Sequence, residues 1–282
     1  MAEDVQNAPA TQVSVQGTQQ VRKRRPPPRP VEVVSVSKMA PRFVSVLFGG
    51  PALEGFRIEE PTAHIKVFLP AGGQTEPVLP TFGPDGLVWP EGATRPVVRT
   101  YTPRRFDETT GTLEVQFLLH DVGPASDWAA QAKVGDRAAI GGPGGRFRFD
   151  REAERWWVGG DESALPAIGT LLDVLPASAQ AEIHVEVAGP DDEIPLPSAA
   201  RTNVTWHHRR NPEGWGEELD DAARSSSLAE GARVWIAGEA VAIRRIRKHF
   251  LEEKHVPVTS MTTRGYWRNG ESDHPDGDYA DN

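Results

Sequence analysis

The chain has 282 residues, 25% of them charged, with a net charge of −9 and no cysteine. Without thiols there are no disulfides, no thiolate-held iron–sulfur clusters and no cysteine nucleophile, so any redox chemistry must ride on a bound cofactor. The acidic balance argues against nucleic acid as a partner. No apolar run approaches the roughly 18 residues of a membrane span and no secretory leader is evident, so a cytoplasmic protein, read as a monomer, is expected.

The first 30 residues are rich in Gln, Ala and Pro. They carry Arg22, Lys23, Arg24, Arg25 and Arg29 against Glu3 and Asp4, a charge of +3 that leaves −12 for the rest. Such composition buries little apolar area, so residues 1–30 are expected to be a disordered basic arm. From 31 to 150, short β-rich runs are separated by Gly and Pro. Val31–Val36, Phe43–Phe48, Ile65–Leu69, Val97–Tyr101, Leu113–Leu118 and Arg137–Ile140 read as strands. Leu113, Val115 and Phe117 alternate with polar neighbours, the two-residue period of a half-buried strand. Strands without a long helix predict an antiparallel β-barrel or sandwich. Pro70–Pro96, with five glycines and six prolines, reads as a long surface loop.

From 151 to 270 the texture changes. Strands at Arg155–Val158, Ala181–Val187, Asn203–His207, Arg233–Ala237 and Val256–Met261 are interspersed with helices at Ala164–Leu175, Leu219–Leu228 and Ala240–Lys254. That alternation predicts a doubly wound parallel sheet. Residues 271–282 hold five acids and no Lys or Arg, an acidic tail expected to fray.

Within the β-rich part, Arg99-Thr100-Tyr101-Thr102 closes a strand. Arg99 and Tyr101 share one side and Thr102 faces the other. A cation, an aromatic plate and a hydroxyl suit a nucleotide cofactor with a flat ring; a surface strand with a cross-strand tyrosine is the alternative. About 20 residues later, His120-Asp-Val-Gly123-Pro-Ala125-Ser126-Asp-Trp128 follows a strand and opens a short helix, where a glycine and a free N-terminus favour an anion. In the α/β part, Gly159-Gly160-Asp161-Glu162-Ser163-Ala164 takes the strand-to-helix position of a dinucleotide loop, without the full Gly-x-Gly-x-x-Gly pattern. Arg209 and Arg210 follow the third strand, and two guanidinium groups suit a phosphate dianion; a solvated loop is the alternative. The adjacent His207 and His208 diverge on a strand, so no metal site is expected.

Five stretches stand in one order: Arg99-Thr-Tyr-Thr-Pro-Arg104, Gly123-Pro-Ala-Ser-x-Trp128-Ala, Gly142-Pro-Gly-Gly145, Gly160-Asp-Glu-Ser-Ala-Leu-Pro-Ala167 and Gly265-Tyr-Trp-Arg268. In these the chain resembles the siderophore-interacting proteins, FAD-dependent ferric-siderophore reductases related to the ferredoxin–NADP reductases. The resemblance spans roughly residues 31–270. It implies an FAD-binding β-barrel domain at 31–150 and an NAD(P)H-binding α/β domain at 151–270. It implies that Arg99 neutralises the FAD diphosphate, that Tyr101 flanks the ring and that Thr102 bonds near its reactive nitrogen, with Thr100 in the same strand. Gly123, Ala125 and Ser126 would hold the diphosphate, with Trp128 in support; His120 is as compatible with a structural role.

On the donor side the resemblance implies a nicotinamide loop at Gly160, Asp161, Glu162, Ser163 and Ala164, a 2′-phosphate seat at Arg209 and Arg210, and a ligand-facing edge at Gly238 and Glu239, for which a helix N-cap turn is the alternative. An anionic ferric siderophore calls for cations beside the flavin, and Lys66, Arg146, Arg148, Arg264 and Arg268 are the matching candidates. Lys66 lies within an apolar strand, where an unpaired charge is costly. One of Tyr266 and Trp267 would shield the ring, with packing as the alternative for both. The expected partners are a ferric siderophore and NAD(P)H, with ferredoxin as an alternative donor. The competing readings are another flavin-dependent NAD(P)H or ferredoxin-linked reductase, and a non-catalytic siderophore-binding protein.

Overall fold

The structure, a computed structural model, describes residues 26–83, 86–120, 123–272, 274, 277 and 278. Residues 1–25 of the expected basic arm and most of the acidic tail lie outside the described residues. Arg29 and Pro30, counted with the arm, already belong to the first strand.

The first half is built from β1 (Arg29–Ala40), β2 (Phe43–Gly49), β3 (His64–Leu69), β4 (Thr81–Gly83), β5 (Gly86–Val88), β6 (Val97–Tyr101), β7 (Pro103–Asp107) and β8 (Thr112–Leu118), then α1 (Pro124–Gln131) and β9 (Arg137–Gly144). Seven strands pair antiparallel in the order β6-β3-β9-β1-β2-β8-β7, and β6 returns against β8. Their inward side chains, among them Val33, Val46, Phe48, Ile65, Val67, Leu113, Val115, Phe117 and Ile140, form one core. The stretch Pro70–Pro96 is not all loop, because β4 and β5 pair within it as a hairpin.

The second half comprises β10 (Arg155–Asp161), α2 (Leu165–Val174), β11 (Gln180–Val187), β12 (Arg201–His208), α3 (Glu217–Ser225), β13 (Arg233–Glu239), α4 (Ala240–Glu252) and β14 (Met261–Trp267). Five strands run parallel in the order β12-β11-β10-β13-β14, and Gly277–Asp278 adds a short antiparallel strand beyond β14. The sheet is buried on both faces, as parallel sheets are. One face packs Val158, Leu165, Ile168, Leu171, Ile183, Val185 and Trp235; the other packs Trp157, Leu219, Ile236, Ile243, Ile246 and Phe250.

The fifth strand expected at Val256–Met261 lies further along. The amides of Lys254 and Val256 return to the carbonyls of His249 and Phe250, and His255 takes a left-handed φ of 55°. Val256 therefore folds back onto the core behind α4, and the strand starts at Met261. Gly265, Tyr266 and Trp267 thus sit in the strand rather than beyond it.

The two halves share a core. Ala40 and Phe43, at the β1–β2 turn, pack among the α2-side residues of the second sheet. Arg104 of β7 pairs with Asp173 of α2, and the Thr62 amide donates to Thr170 Oγ1 at 2.9 Å.

Candidate functional site

On the barrel side the first constellation gathers at β6 and α1. Tyr101 lies 4.4 Å from the Phe117 ring, which in turn contacts Trp128 at 5.8 Å, so an aromatic ladder joins the end of β6 to the helix. Burial holds the Tyr101 phenol well above its ordinary pKa and keeps it protonated. Thr102 is buried, Arg99 is half-buried, and the Thr100 hydroxyl receives Lys66 Nζ at 2.5 Å.

Gly123 caps α1 with φ 151°, where a Cβ would stand 2.8 Å from the His120 ring; only glycine fits. The first turn of α1 presents backbone N–H groups that have no helical acceptor, a cradle suited to a diphosphate. These residues fit FAD: a glycine corner that no side chain could occupy, helix N–H donors, a guanidinium and the Tyr101 ring. The Ser126 hydroxyl is engaged within the loop, which leaves its backbone amide for the phosphate contact expected of it. Its hydroxyl accepts from the His120 amide at 2.9 Å and donates to the His120 carbonyl at 2.8 Å, so it closes the loop on itself.

On the sheet side the strand order reverses between β10 and β13, and ligands of open α/β sheets enter at such a switch point, at the carboxyl ends of the strands. Those ends are Gly160-Asp161 and Gly238-Glu239. A Cβ on Gly160 would meet Ala164 Cβ at 2.5 Å and the Ala237 carbonyl at 2.9 Å, and one on Gly238 would meet the Asp161 carboxyl at 2.6 Å. Asp161 accepts from the Ser163 amide and hydroxyl on one oxygen, and from the Glu239 amide and Trp267 Nε1, both at 2.8 Å, on the other. One carboxylate thus staples the ends of β10, β13 and β14. Glu239 caps α4 through the Val241 and Ala242 amides.

Burial, aided by the neighbouring Glu162 charge and opposed by the Ser163 and Trp267 hydrogen bonds, pushes the Asp161 carboxyl up to about 6. A raised folded-state pKa means the native protein binds this proton more tightly than the unfolded chain does. The contribution of Asp161 to stability is therefore full below the ordinary carboxylate pKa and lost as pH rises through about 6. Tryptophan emission should report protonation of the Trp267 acceptor with a midpoint near pH 6. Asp161→Asn should abolish that transition, and a transition that persists would exclude this carboxyl as its source.

Arg209 is enclosed, with its side chain 3% exposed. It bonds Glu162 at 2.5 and 3.1 Å and Glu186 at 3.2 Å, and its guanidinium lies 4.2 Å from the Trp215 ring. Arg210, 71% exposed, pairs with Glu218 and Asp221. Only Arg210 of this pair presents its guanidinium to solvent. His207 turns to His184, at 3.0 Å, and His208 to Glu193, at 2.7 Å, so the two rings diverge.

Lys66 faces solvent on β3, beside Gly141 of β9. Arg146 and Arg148 are exposed in the segment after β9, Arg148 near Glu60. Arg264 and Arg268 are half-buried at β14, Arg268 paired with Glu271. Tyr266 packs against the α2-side core, whereas Trp267 is held by Asp161 and Trp215, so the two aromatics are divided between opposite tasks.

Arg42 carries no motif signal, yet it reaches this site from the barrel, with Nη1 2.8 Å from Glu162 Oε1 and 3.8 Å from Asp192.

A barrel with a glycine-capped helix corner, packed against a parallel sheet with a dinucleotide-type switch point, defines a two-domain nucleotide-cofactor scaffold. Residues 32–147 match the siderophore-interacting FAD-binding domain and residues 153–270 match the siderophore-interacting protein domain. The chain is 31% identical to the NADPH-dependent ferric-chelate reductase of Escherichia coli, over 85% of this chain and 92% of that one. It is 28% identical to the ferric vibriobactin reductase ViuB of Vibrio cholerae, over 87% and 91% respectively. A siderophore utilization protein from T. fusca superposes with a TM-score of 0.79 at 34% identity, covering 88% of this chain and 95% of that one. The chain belongs to the siderophore-interacting protein family. Among the described residues no helix is long and apolar enough to cross a membrane.

Proposed function

We propose that this protein is an FAD-dependent, cytoplasmic ferric-siderophore reductase that draws electrons from NAD(P)H. The observation that carries the reading is the pairing of two sites on one chain whose halves share a core: a glycine corner near Tyr101 on the barrel and a switch-point crevice on the sheet. Family membership and the similarity to named ferric reductases support it.

When bound, FAD supplies the coupling between a two-electron hydride donor and a one-electron metal acceptor. One NAD(P)H then reduces two ferric ions to ferrous, with oxidised nicotinamide and one proton released. Arg99 and the α1 amides would hold the diphosphate, Tyr101 would flank the ring with Trp128 in support of the nucleotide, and Thr102 would bond near its reactive nitrogen. Gly160 to Ala164 and Gly238-Glu239 would receive the nicotinamide end, and Arg210, itself exposed and paired with Glu218 and Asp221, would be the cation able to turn to a 2′-phosphate. One of Tyr266 and Trp267 would cover the ring; Trp267 is bonded to Asp161, and Tyr266 is partly packed against the α2-side core. Lys66, Arg146, Arg148, Arg264 and Arg268 attract the anionic chelate. The protein supplies no general acid, base or nucleophile; its work is orientation and electrostatics. Ferrous iron binds hard oxygen ligands less tightly, so reduction releases the metal.

The test is acceptor preference. With FAD-loaded protein and NAD(P)H, ferric siderophore should be reduced faster than free flavin, and Lys66→Ala should weaken the siderophore reaction selectively. Equal or better use of free flavin would favour a general flavin reductase.

A further inference from the structure

We propose that Arg42 is a positioning residue that fixes the donor loop against the flavin-phosphate loop. The inference rests on the function proposed above, and Arg42 lies in none of the five motifs that carry that reading.

Arg42 stands at the tip of the β1–β2 turn. Its flanks are anchored in the other domain: Ala40 and Phe43, barrel residues by sequence, are buried in the α2-side core of the second sheet. The turn therefore cannot move independently of α2 and the strand end before it. Its backbone faces the flavin side, because the Arg42 carbonyl accepts the Leu119 amide at 2.7 Å, one residue before the His120–Ser126 loop. Its side chain faces the donor side, with Nη1 2.8 Å from Glu162 Oε1 and 3.8 Å from Asp192 Oδ2. One residue thus joins the two loops that must meet for hydride transfer.

Glu162 is held from both directions. Arg209 grips it from the sheet, and Arg42 grips the same oxygen from the barrel. Removing Arg42 leaves Glu162 with a charged partner, so the fold should survive while the donor loop loses its tether to the barrel. Transfer rates fall steeply with small misplacements, and an ångström of displacement can cost about 100-fold.

The experiment compares wild type, Arg42→Ala and Arg42→Lys as FAD-loaded proteins, following the two half-reactions separately under anaerobic conditions. In Arg42→Ala, flavin bleaching by NAD(P)H should slow about 10- to 100-fold. Re-oxidation of dithionite-reduced flavin by ferric siderophore should stay within about twofold of wild type, since the acceptor half-reaction does not use the donor loop. Arg42→Lys, which keeps the cation but not the fork, should recover part of the reductive rate. A second readout needs no turnover. Amide hydrogen exchange at residues 160–164 should quicken in Arg42→Ala while the strands of both sheets stay protected. Unchanged reduction together with unchanged exchange would overturn the inference, as would equal slowing of both half-reactions with loss of FAD. Because the exchange arm is read without donor or acceptor, it judges the tether even where the donor assignment itself fails.

Discussion

Arg209→Ala should destabilise the protein by about 3–5 kcal/mol, the cost of leaving a buried ionic partner uncompensated. Glu186 is wholly inaccessible and pairs with this guanidinium, whereas Glu162, also almost wholly inaccessible, keeps Arg42 as a second cation. Glu186 already sits above the ordinary carboxylate range because it is buried, with the Gly216 and Leu219 amides and Arg209 working in the opposite direction. Without the arginine, Glu186 must either take up a proton or draw water into the strand ends. The loss should therefore be larger at pH 8 than at pH 5, since a proton neutralises the orphaned Glu186 at low pH. Urea denaturation at the two pH values measures it. A cost below about 1 kcal/mol, or one that does not vary with pH, would mean that the cluster is not the buried network described here.

Phe43→Ala should cost a similar amount, about 3–5 kcal/mol, with a more telling signature. Phe43 belongs to β2 and pairs with Leu118 in the barrel, yet its fully buried ring packs into the core of the parallel sheet. Wild type should therefore unfold in one transition. The variant should separate into two, with the barrel and the α/β half losing structure at different temperatures in calorimetry. A single transition in Phe43→Ala, shifted by less than a degree, would show that the shared core contributes little to coupling.

The change of fold class along the chain was legible because its physical signals are local. Alternation in Leu113–Phe117 and apolar period in Ala240–Lys254 are properties of a few consecutive residues. β7 escaped notice because Pro103–Asp107 is a short, arginine-containing edge strand, and sheet edges favour such charge. The sequence places the fifth parallel strand from Val256, a residue with strand character, whereas the burial of Val256 comes from folding back on α4 and the strand starts at Met261. In the site, the motifs marked which loops converge but not what each side chain does there. Ser126 reads as a phosphate contact, and the engagement of its hydroxyl with His120, which leaves only the amide for that task, follows from a loop closure the motif does not show. Arg209 and its partners Glu186 and Glu162 stand 23 and 47 residues apart in the chain, so no window of sequence reveals that the arginine is enclosed. Arg42 is a lone charge in a turn, and its role exists only once two domains are packed together.

The central claim is that both cofactor sites serve one electron path ending on chelated iron. The most direct measurement loads the protein with FAD, excludes oxygen and adds stoichiometric NAD(P)H, then ferric siderophore with a ferrous-specific chelator. The account predicts that the flavin absorbance bleaches with the donor and returns with the ferric siderophore, and that two ferrous ions are trapped for each nicotinamide oxidised. A flavin that the donor bleaches but ferric siderophore does not re-oxidise would contradict it, as would a protein that takes up no FAD.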